Sequence, residues 1–311
     1  SVGLPSSTGH DFFEDAEARF VKINRQACPT GLAKLDAKDI LRGGLGRGEI
    51  GVVTANTGVG KSHWLVAMGA NAMRVGKNVL HYTFELTEHA VGLRYDANLC
   101  DIPANEVQDR KSEVLEKYDA MDLGRLIIKE YPTGSATSIT VRNHVEKLML
   151  KGFTPSVIII DYADIMRSTK SYDSLRHELK LIYEELRNLA MDLNVPIWTA
   201  SQANRDSAKS DIVGLENMSE AYGKAMVADV VVSLSRKPTE KATGAGRLFV
   251  AKNRAGKDGI VFPLNIDTGK STFKILDTEA LTLDEAVKQT NSEMKQLLKK
   301  KWAEVNGTEE D

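Results

Sequence analysis

The chain is expected to fold as an α/β protein built on one doubly wound, mainly parallel sheet, and three observations point there. From Gly51 onward, short apolar runs alternate with stretches of helical period, the pattern of strand–helix–strand units. The early runs are continuous, as in Val157-Ile158-Ile159-Ile160, which suits parallel strands covered on both faces. Between the first run and the first helical stretch stands Ala55-Asn56-Thr57-Gly58-Val59-Gly60-Lys61-Ser62. That is a phosphate-binding loop joining strand to helix, with Ala55 where glycine is commoner.

In chain order, residues 1–10 read as a flexible lead. Asp11 to Asn24 reads as a short helix, acidic early and basic later. Residues 1–27 are expected to be a linker, 28–280 the main domain, and 281–311 a C-terminal helix with an acidic tail. Gly43, Gly44, Gly46 and Gly48 make a turn-rich approach to the first core strand. Strands are expected at 51–55, 78–84, 125–130, 156–161, 195–200, 229–234, 247–252, 260–266 and 272–276. Helices are expected at 61–75, 87–99, 107–120, 137–151, 173–193 and 217–226. Helix 173–193 has the clearest period, with Leu175, Leu179, Ile182, Leu186, Leu189 and Leu193 on one face. The late strands lie close together with short turns, so that edge of the sheet is expected to be partly antiparallel. Lys288 to Trp302 reads as a charged amphipathic helix, with Met294, Leu297, Leu298 and Trp302 on one side. Such a helix covers the chain's own core or docks a neighbour.

A chain of 311 residues has room for one large domain or two smaller ones. Charged residues make up 27% and the net charge is −2, so any nucleic-acid contact has to be local. Cys28 and Cys100, the only cysteines, lack metal-ligand spacing and suggest a reducing compartment. No run approaches the ~18 apolar residues of a membrane span, and no secretory signal is visible. Ser1 in place of Met fits a piece of a longer polypeptide or an expression product.

The chemistry centres on a nucleoside triphosphate. Gly58 and Gly60 let successive backbone N–H groups turn toward an anion, and the following helix aims its positive end at the same place. Lys61 is placed to reach the β- and γ-phosphates, and Ser62 to ligate Mg²⁺. The loop from Ala55 to His63 is the expected nucleotide contact. Asp161 closes an apolar strand with a carboxylate, the pattern that delivers a metal-holding acid to the phosphate edge. Glu85 ends the strand after the loop's helix, a strand expected to neighbour the first one. There it polarises an attacking water, or else serves as a first-turn acid for helix 87–99. Gln202, just past strand 195–200, is a candidate sensor of the γ-phosphate. Ala203 to Met218, with Arg205 and Lys209, is polar and aperiodic and reads as a mobile loop. Lys252 and Arg254 end a late strand, as a solvated turn or as cations that reach a neighbour's nucleotide.

Set in order, these pieces resemble one family. Thr30-Gly31-Leu32, Leu35-Asp36 and Gly43-Gly44-Leu45 are followed by ANTGVGKS, YTFEL, IIIDYADIM, VPIWTASQANR and VAKNRAGKDG. This ordered set is similar to that of the DnaB-like replicative helicases, and especially their tailed-phage relatives, over roughly residues 9–276. The resemblance implies a RecA-like motor domain that uses ATP and Mg²⁺. It implies Glu85 as catalytic base, Asp161 as metal-holding acid, and Lys61 and Ser62 on phosphate and Mg²⁺. Gln202 becomes the sensor, while Lys252 and Arg254 act on the adjacent subunit's nucleotide. Two channel loops would hold single-stranded DNA, near Arg167 to Arg176 and near Asn204 to Lys224. Their cations are Arg167, Lys170 and Arg176, then Arg205, Lys209 and Lys224, with backbone contacts near Tyr222-Gly223-Lys224.

The family further implies a homo-oligomeric ring, most often hexameric, primase and loader partners, no membrane contact, and the cytoplasm of a bacterial or phage-infected cell. Asp11 to Arg25 would be the linker helix that packs on the next subunit. The residues given include neither the helical N-terminal domain of many members nor a zinc-ribbon primase segment, and Ser219 to Val227 matches cellular members poorly. The alternatives are a RecA-like recombinase filament and a KaiC-like regulatory ATPase. The KNR run and the TG-x-x-x-LD motif favour the helicase.

Overall fold

The computed structural model describes residues 9, 11–20, 25–172, 174–203, 222–277, 280–283, 285–286 and 288. One mixed sheet organises them. Its strands are β1 (Ile50–Ala55), β2 (Val79–Thr83), β3 (Leu126–Glu130), β4 (Val157–Asp161), β5 (Ile197–Gln202), β6 (Val230–Ser235), β7 (Ala245–Asn253), β8 (Ile260–Asp267), β9 (Thr272–Ile275) and β10 (Leu281–Thr282). The order across the sheet is β10-β8-β7-β6-β1-β5-β4-β2-β3, with β9 pairing β8. Strands β6 to β3 along that path are mutually parallel, and β7 to β10 add the antiparallel edge.

Helices cover both faces, as the strand patterns require. Residues alternate sides along each strand. Val53, Ala55, Ile159, Trp198 and Ala200 join one core with Trp64 and Leu65 of α1 (Lys61–Arg74) and Val91 and Tyr95 of α2 (Glu88–Cys100). Val114 of α3 (Lys111–Asp119) joins them. Ile50, Val52, Ile158, Ile160 and Ile197 join the other core. There they meet Val141 and Val145 of α4 (Ser138–Leu150), Leu179 to Ala190 of α5 (Leu175–Leu193) and Ala225 of α6 (Tyr222–Val227). A Cβ on Gly69 would overlap the Tyr95 hydroxyl and press on Ile159, so a larger residue there has to displace the buried Tyr95 side chain.

Three expectations change. Strand β2 does not neighbour β1; it pairs β4 and β3, with β4 and β5 lying between. Burial singles out only β3, half-buried along its length, as the edge strand; β2 is as buried as β4 and takes an inner position beside it. The stretch beginning at Asp11 is a series of turns followed by one 3₁₀ turn, Glu17–Phe20, with Phe12, Phe13 and Phe20 exposed. Phe12 and Phe13 pack edge to face on each other and stay largely exposed, so little burial supports a longer helix, which is marginal alone. Leu175, expected on the buried face of α5, is exposed in its first turn. Residues 21–24, helix residues 217–221 and the expected amphipathic helix beyond Lys288 lie outside the described residues.

Candidate active site

The C-terminal ends of the parallel strands converge on a cavity of about 370 Å³. Its walls are Thr57, Gly58, Gly60, Lys61, Ser62, His63, Glu85, Arg94, Tyr162, Gln202 and Thr268. The phosphate-binding loop forms its floor. Gly58 and Gly60 have φ of 76° and 125°, a region that side chains strongly disfavour. Helix α1 starts at Lys61 with no side-chain cap, so its first-turn N–H groups are open to an anion. The Lys61 ammonium donates to the Ala55 carbonyl at 2.9 Å and lies 3.4 Å from that of Asn56. Burial pushes its pKa down, against the pull of Asp161, Asp164 and Glu85.

Asp161 is buried directly behind Ser62, outside the lining itself. The Ser62 hydroxyl donates to its Oδ1 at 3.2 Å. Burial raises the Asp161 pKa to about 6, opposed by Ser62, Arg94 and Lys61 and assisted by Glu85. Two hard oxygen donors with an undercompensated buried charge fit Mg²⁺, and the glycine loop with Lys61 and Arg94 fits a polyphosphate. Asp161 binds a proton more tightly folded than unfolded, so its contribution to stability is full below pH 3.8 and is lost as pH rises through about 6. The difference corresponds to about 3 kcal/mol. Without nucleotide or metal, Asp161→Asn is therefore expected to unfold at a higher temperature than the parent, by a margin that grows between pH 4.5 and 7. A margin constant across that range in paired thermal melts would refute the assignment.

Glu85 reaches the cavity from beyond β2. The register sets Thr83 beside Asp161, so two residues further the chain carries Glu85 past the sheet edge. Its carboxylate faces the Tyr162 hydroxyl, whose pKa rises to about 12 through burial and Glu85's charge. Gln202 is the cross-strand partner of Ala55, and its Nε2 donates to the Thr57 Oγ1 at 2.7 Å. The expected sensor thus touches the loop directly. His63 Nδ1 pairs with the Ser271 hydroxyl at 2.8 Å, fastening the β8–β9 turn over the start of α1. Burial and Arg94 lower its pKa to about 4, so it is neutral at physiological pH.

Arg94, Tyr162 and Thr268 line the cavity without having been singled out in the sequence. A signal for Arg94 was present. It shares a helix face with Val91, Tyr95 and Asn98, all buried, and a cation on an otherwise buried face asks for an anion. Burial lowers its pKa and Asp161 holds it up.

Lys252 and Arg254 lie at the opposite end of the strands, where the antiparallel β7 finishes. Lys252 pairs with Val231 near the start of β6, and Asp229 binds Ile50, the first residue of β1. The loop leaves β1 at its opposite end, roughly 17 Å away by strand rise. Lys252 Nζ donates to the Ala225 and Met226 carbonyls at 2.7 and 2.9 Å. Arg254 donates to Asp229 Oδ1 at 3.2 Å and to the Met226 carbonyl at 2.8 Å. Burial and Arg254 lower the Lys252 pKa to about 8.

Of the expected DNA-facing cations, Arg167, Lys170 and Arg176 are exposed around the β4–α5 connection. Arg205 and Lys209 lie outside the described residues. Lys224 is a correction. It is 2% exposed, with its ammonium 2.8 Å from Asp164 Oδ1 and over the Tyr183 ring. A lysine held in a buried ion pair is not available to track phosphates.

Comparison with known proteins agrees with this geometry. Residues 27–274 match the family model of the DnaB-like helicase C terminal domain. A DnaB-like replicative helicase of Enterobacteria phage T4 is 32% identical over 273 residues, covering 82% of this chain and 56% of the relative. The replicative DNA helicase DnaB of Helicobacter pylori strain 26695 is 24% identical over 216 residues, covering 67% and 43%. The chain spans about half the length of the curated relatives it matches. A solved ATPase domain superposes with a TM-score of 0.72 at 17% identity, covering 86% of this chain and all of that one. A DnaB-like replicative helicase, solved in a study of its interactions with primase, superposes with the same score and covers 87% and 68%. With a mainly parallel sheet, a phosphate loop facing Asp161 and Glu85, and a family match across most of its length, the chain belongs to the DnaB-like helicase C-terminal domain family.

Proposed function

We propose that this chain is the ATP-hydrolysing motor of a replicative DNA helicase, which moves along single-stranded DNA as a ring of about six subunits and separates the duplex. The observation that carries this reading is the placement of Lys252 and Arg254 at the opposite end of the strands from the cavity. Cations there cannot complete the chain's own site, whereas a head-to-tail neighbour can present them to it. Mg²⁺, when bound, would screen phosphate charge and orient the transferred group.

The chain's own residues do the rest. The loop N–H groups and Lys61 hold the β- and γ-phosphates. Ser62 and Asp161 present oxygens to the metal. Glu85 accepts a proton from the attacking water. Arg94 offsets phosphate charge from the side, and Gln202 registers the γ-phosphate through its place beside Thr57. Exposed Arg167, Lys170 and Arg176 meet the DNA backbone, joined by Arg205 and Lys209 in the second expected loop. Primase and loader partners belong to the same reading, through the family.

Steady-state ATP hydrolysis with and without single-stranded DNA, alongside mass by light scattering, tests it. Hydrolysis is expected to rise several-fold with DNA, in an assembly several chains in mass. A DNA-indifferent rate would sink the motor reading. Filaments in place of rings by negative-stain microscopy would favour a recombinase.

A further inference from the structure

Asp164 lies three residues past Asp161, on the 3₁₀ turn Ala163–Ile165, and it gathers donors from three other elements. Its Oδ1 accepts from the Tyr183 hydroxyl of α5 at 2.8 Å and pairs with Lys224 Nζ of α6 at 2.8 Å. Its Oδ2 accepts from the Ser201 hydroxyl and the Gln202 backbone N–H at 3.2 and 3.3 Å. Gln202 ends β5 just before residues 204–221, and α6 begins just after them. The two ends of that stretch thus meet on one carboxylate, and the same Gln202 reaches Thr57 of the phosphate loop.

The surroundings hold further hydroxyls beside this junction. The register sets Thr54 between Ser201 and Ser233 on one rung across three strands. The Thr54 and Ser233 hydroxyls are buried and have no hydrogen-bond partner among the described residues. Lys224 already donates to Ser201 Oγ at 3.4 Å, the first hydroxyl of that rung. The other end of α6 is held by cations. Its Ala225 and Met226 carbonyls accept from Lys252 and Arg254. Should those two cations turn to a neighbour's phosphates, α6 loses these bonds.

We propose that Lys224 and Asp164 are a positioning pair that couples Gln202 to α6, and that α6 reports two nucleotides: the chain's own through Lys224, and a neighbour's through Lys252 and Arg254. The inference rests on the motor reading above. Its distinct content is that nucleotide state reaches the DNA-binding stretch through a buried ion pair.

Removing one partner alone strands a buried charge, whereas neutralising both together is tolerated. The test therefore uses the doubly neutral variant Asp164→Asn/Lys224→Gln. Affinity for a labelled single-stranded oligonucleotide is measured by fluorescence anisotropy with and without a non-hydrolysable ATP analogue. For the parent chain the two affinities are expected to differ by at least ~5-fold. For the double variant they are expected to agree within about twofold, with the KM for ATP kept near the parent value while DNA stimulation of kcat is lost. Lys224→Arg, which keeps the charge, is expected to restore part of the coupling. If the double variant fails to fold, Tyr183→Phe decides, since it removes one bond to Asp164 without stranding a charge and should weaken the coupling measurably. Coupling undiminished in the double variant, or in Tyr183→Phe where that variant must decide, overturns the proposal. A parent chain that binds no single-stranded DNA would instead sink the motor reading, and this inference with it.

Discussion

Lys61→Ala is expected to lower ATP hydrolysis by about 10²–10³-fold, comparable to the loss of one preorganised charge-stabilising donor, while leaving the fold in place. The ammonium now rests on the Ala55 and Asn56 carbonyls, a short distance from where β- and γ-phosphates would lie. It is held there against its own desolvation. That arrangement stabilises a charge still to come and contributes little to folding. Truncation leaves the Ala55 carbonyl with the Ala203 N–H at 3.2 Å and the Asn56 carbonyl with the Val59 N–H at 3.3 Å, and relieves the burial of a cation. The thermal midpoint should therefore move by no more than about 2–4 °C. The checks are steady-state hydrolysis with single-stranded DNA, binding of a fluorescent ATP analogue, and a thermal melt. Parent-level hydrolysis by Lys61→Ala would remove the loop from the mechanism, whatever its geometry.

The readable parts of the chain were those whose chemistry is local. Gly58, Gly60 and Lys61 work through one turn of backbone, so eight residues are enough to identify the loop. Asp161 is legible only with that loop upstream, since an apolar strand ending in an acid is common by itself. Position across the sheet is a different matter. Nothing between Arg74 and Val79 says that β2 will skip two strands, because β1, β2 and β4 are all fully buried runs and none carries a local mark of its place in the sheet. The skip decides the chemistry, for it brings Glu85 alongside Asp161 and Tyr162. Lys224 misled for a related reason. After a polar stretch a lysine reads as exposed, and its partner Asp164 stands 60 residues earlier, on another element. Arg94 went unnoticed because a helix face with one arginine among Val91, Tyr95 and Asn98 resembles ordinary amphipathic packing until the cavity is seen. Pairings between distant segments carry the electrostatics of this site, and periodicity does not encode them.

Arg254→Ala is expected to cost about 10³–10⁵-fold in DNA-stimulated hydrolysis, the range of an arginine finger supplied in trans, and to be rescued by mixing. The guanidinium is 45% exposed and lies at the end of the strands remote from its own cavity. Its loss should not disorder that end. Asp229 remains held by Arg187 at 2.9 Å and by the Ile50 N–H at 3.0 Å. Glu85→Gln is expected to be equally inactive, for the separate reason that its own cavity lacks the base. In a head-to-tail assembly every site pairs one chain's Glu85 with the neighbour's Arg254. Random 1:1 mixing of the two inactive variants then leaves about a quarter of interfaces with both groups intact. Hydrolysis should reappear on mixing, peak near equal proportions, and vanish when either variant is diluted away. Complementation absent at every ratio, with assembly verified by light scattering, would place Arg254 outside the reaction and leave it as the structural partner of Asp229. Recovery would assign the completed site to the junction of two chains, where a single cavity holds Lys61, Ser62, Glu85 and Asp161 but waits for its last cation.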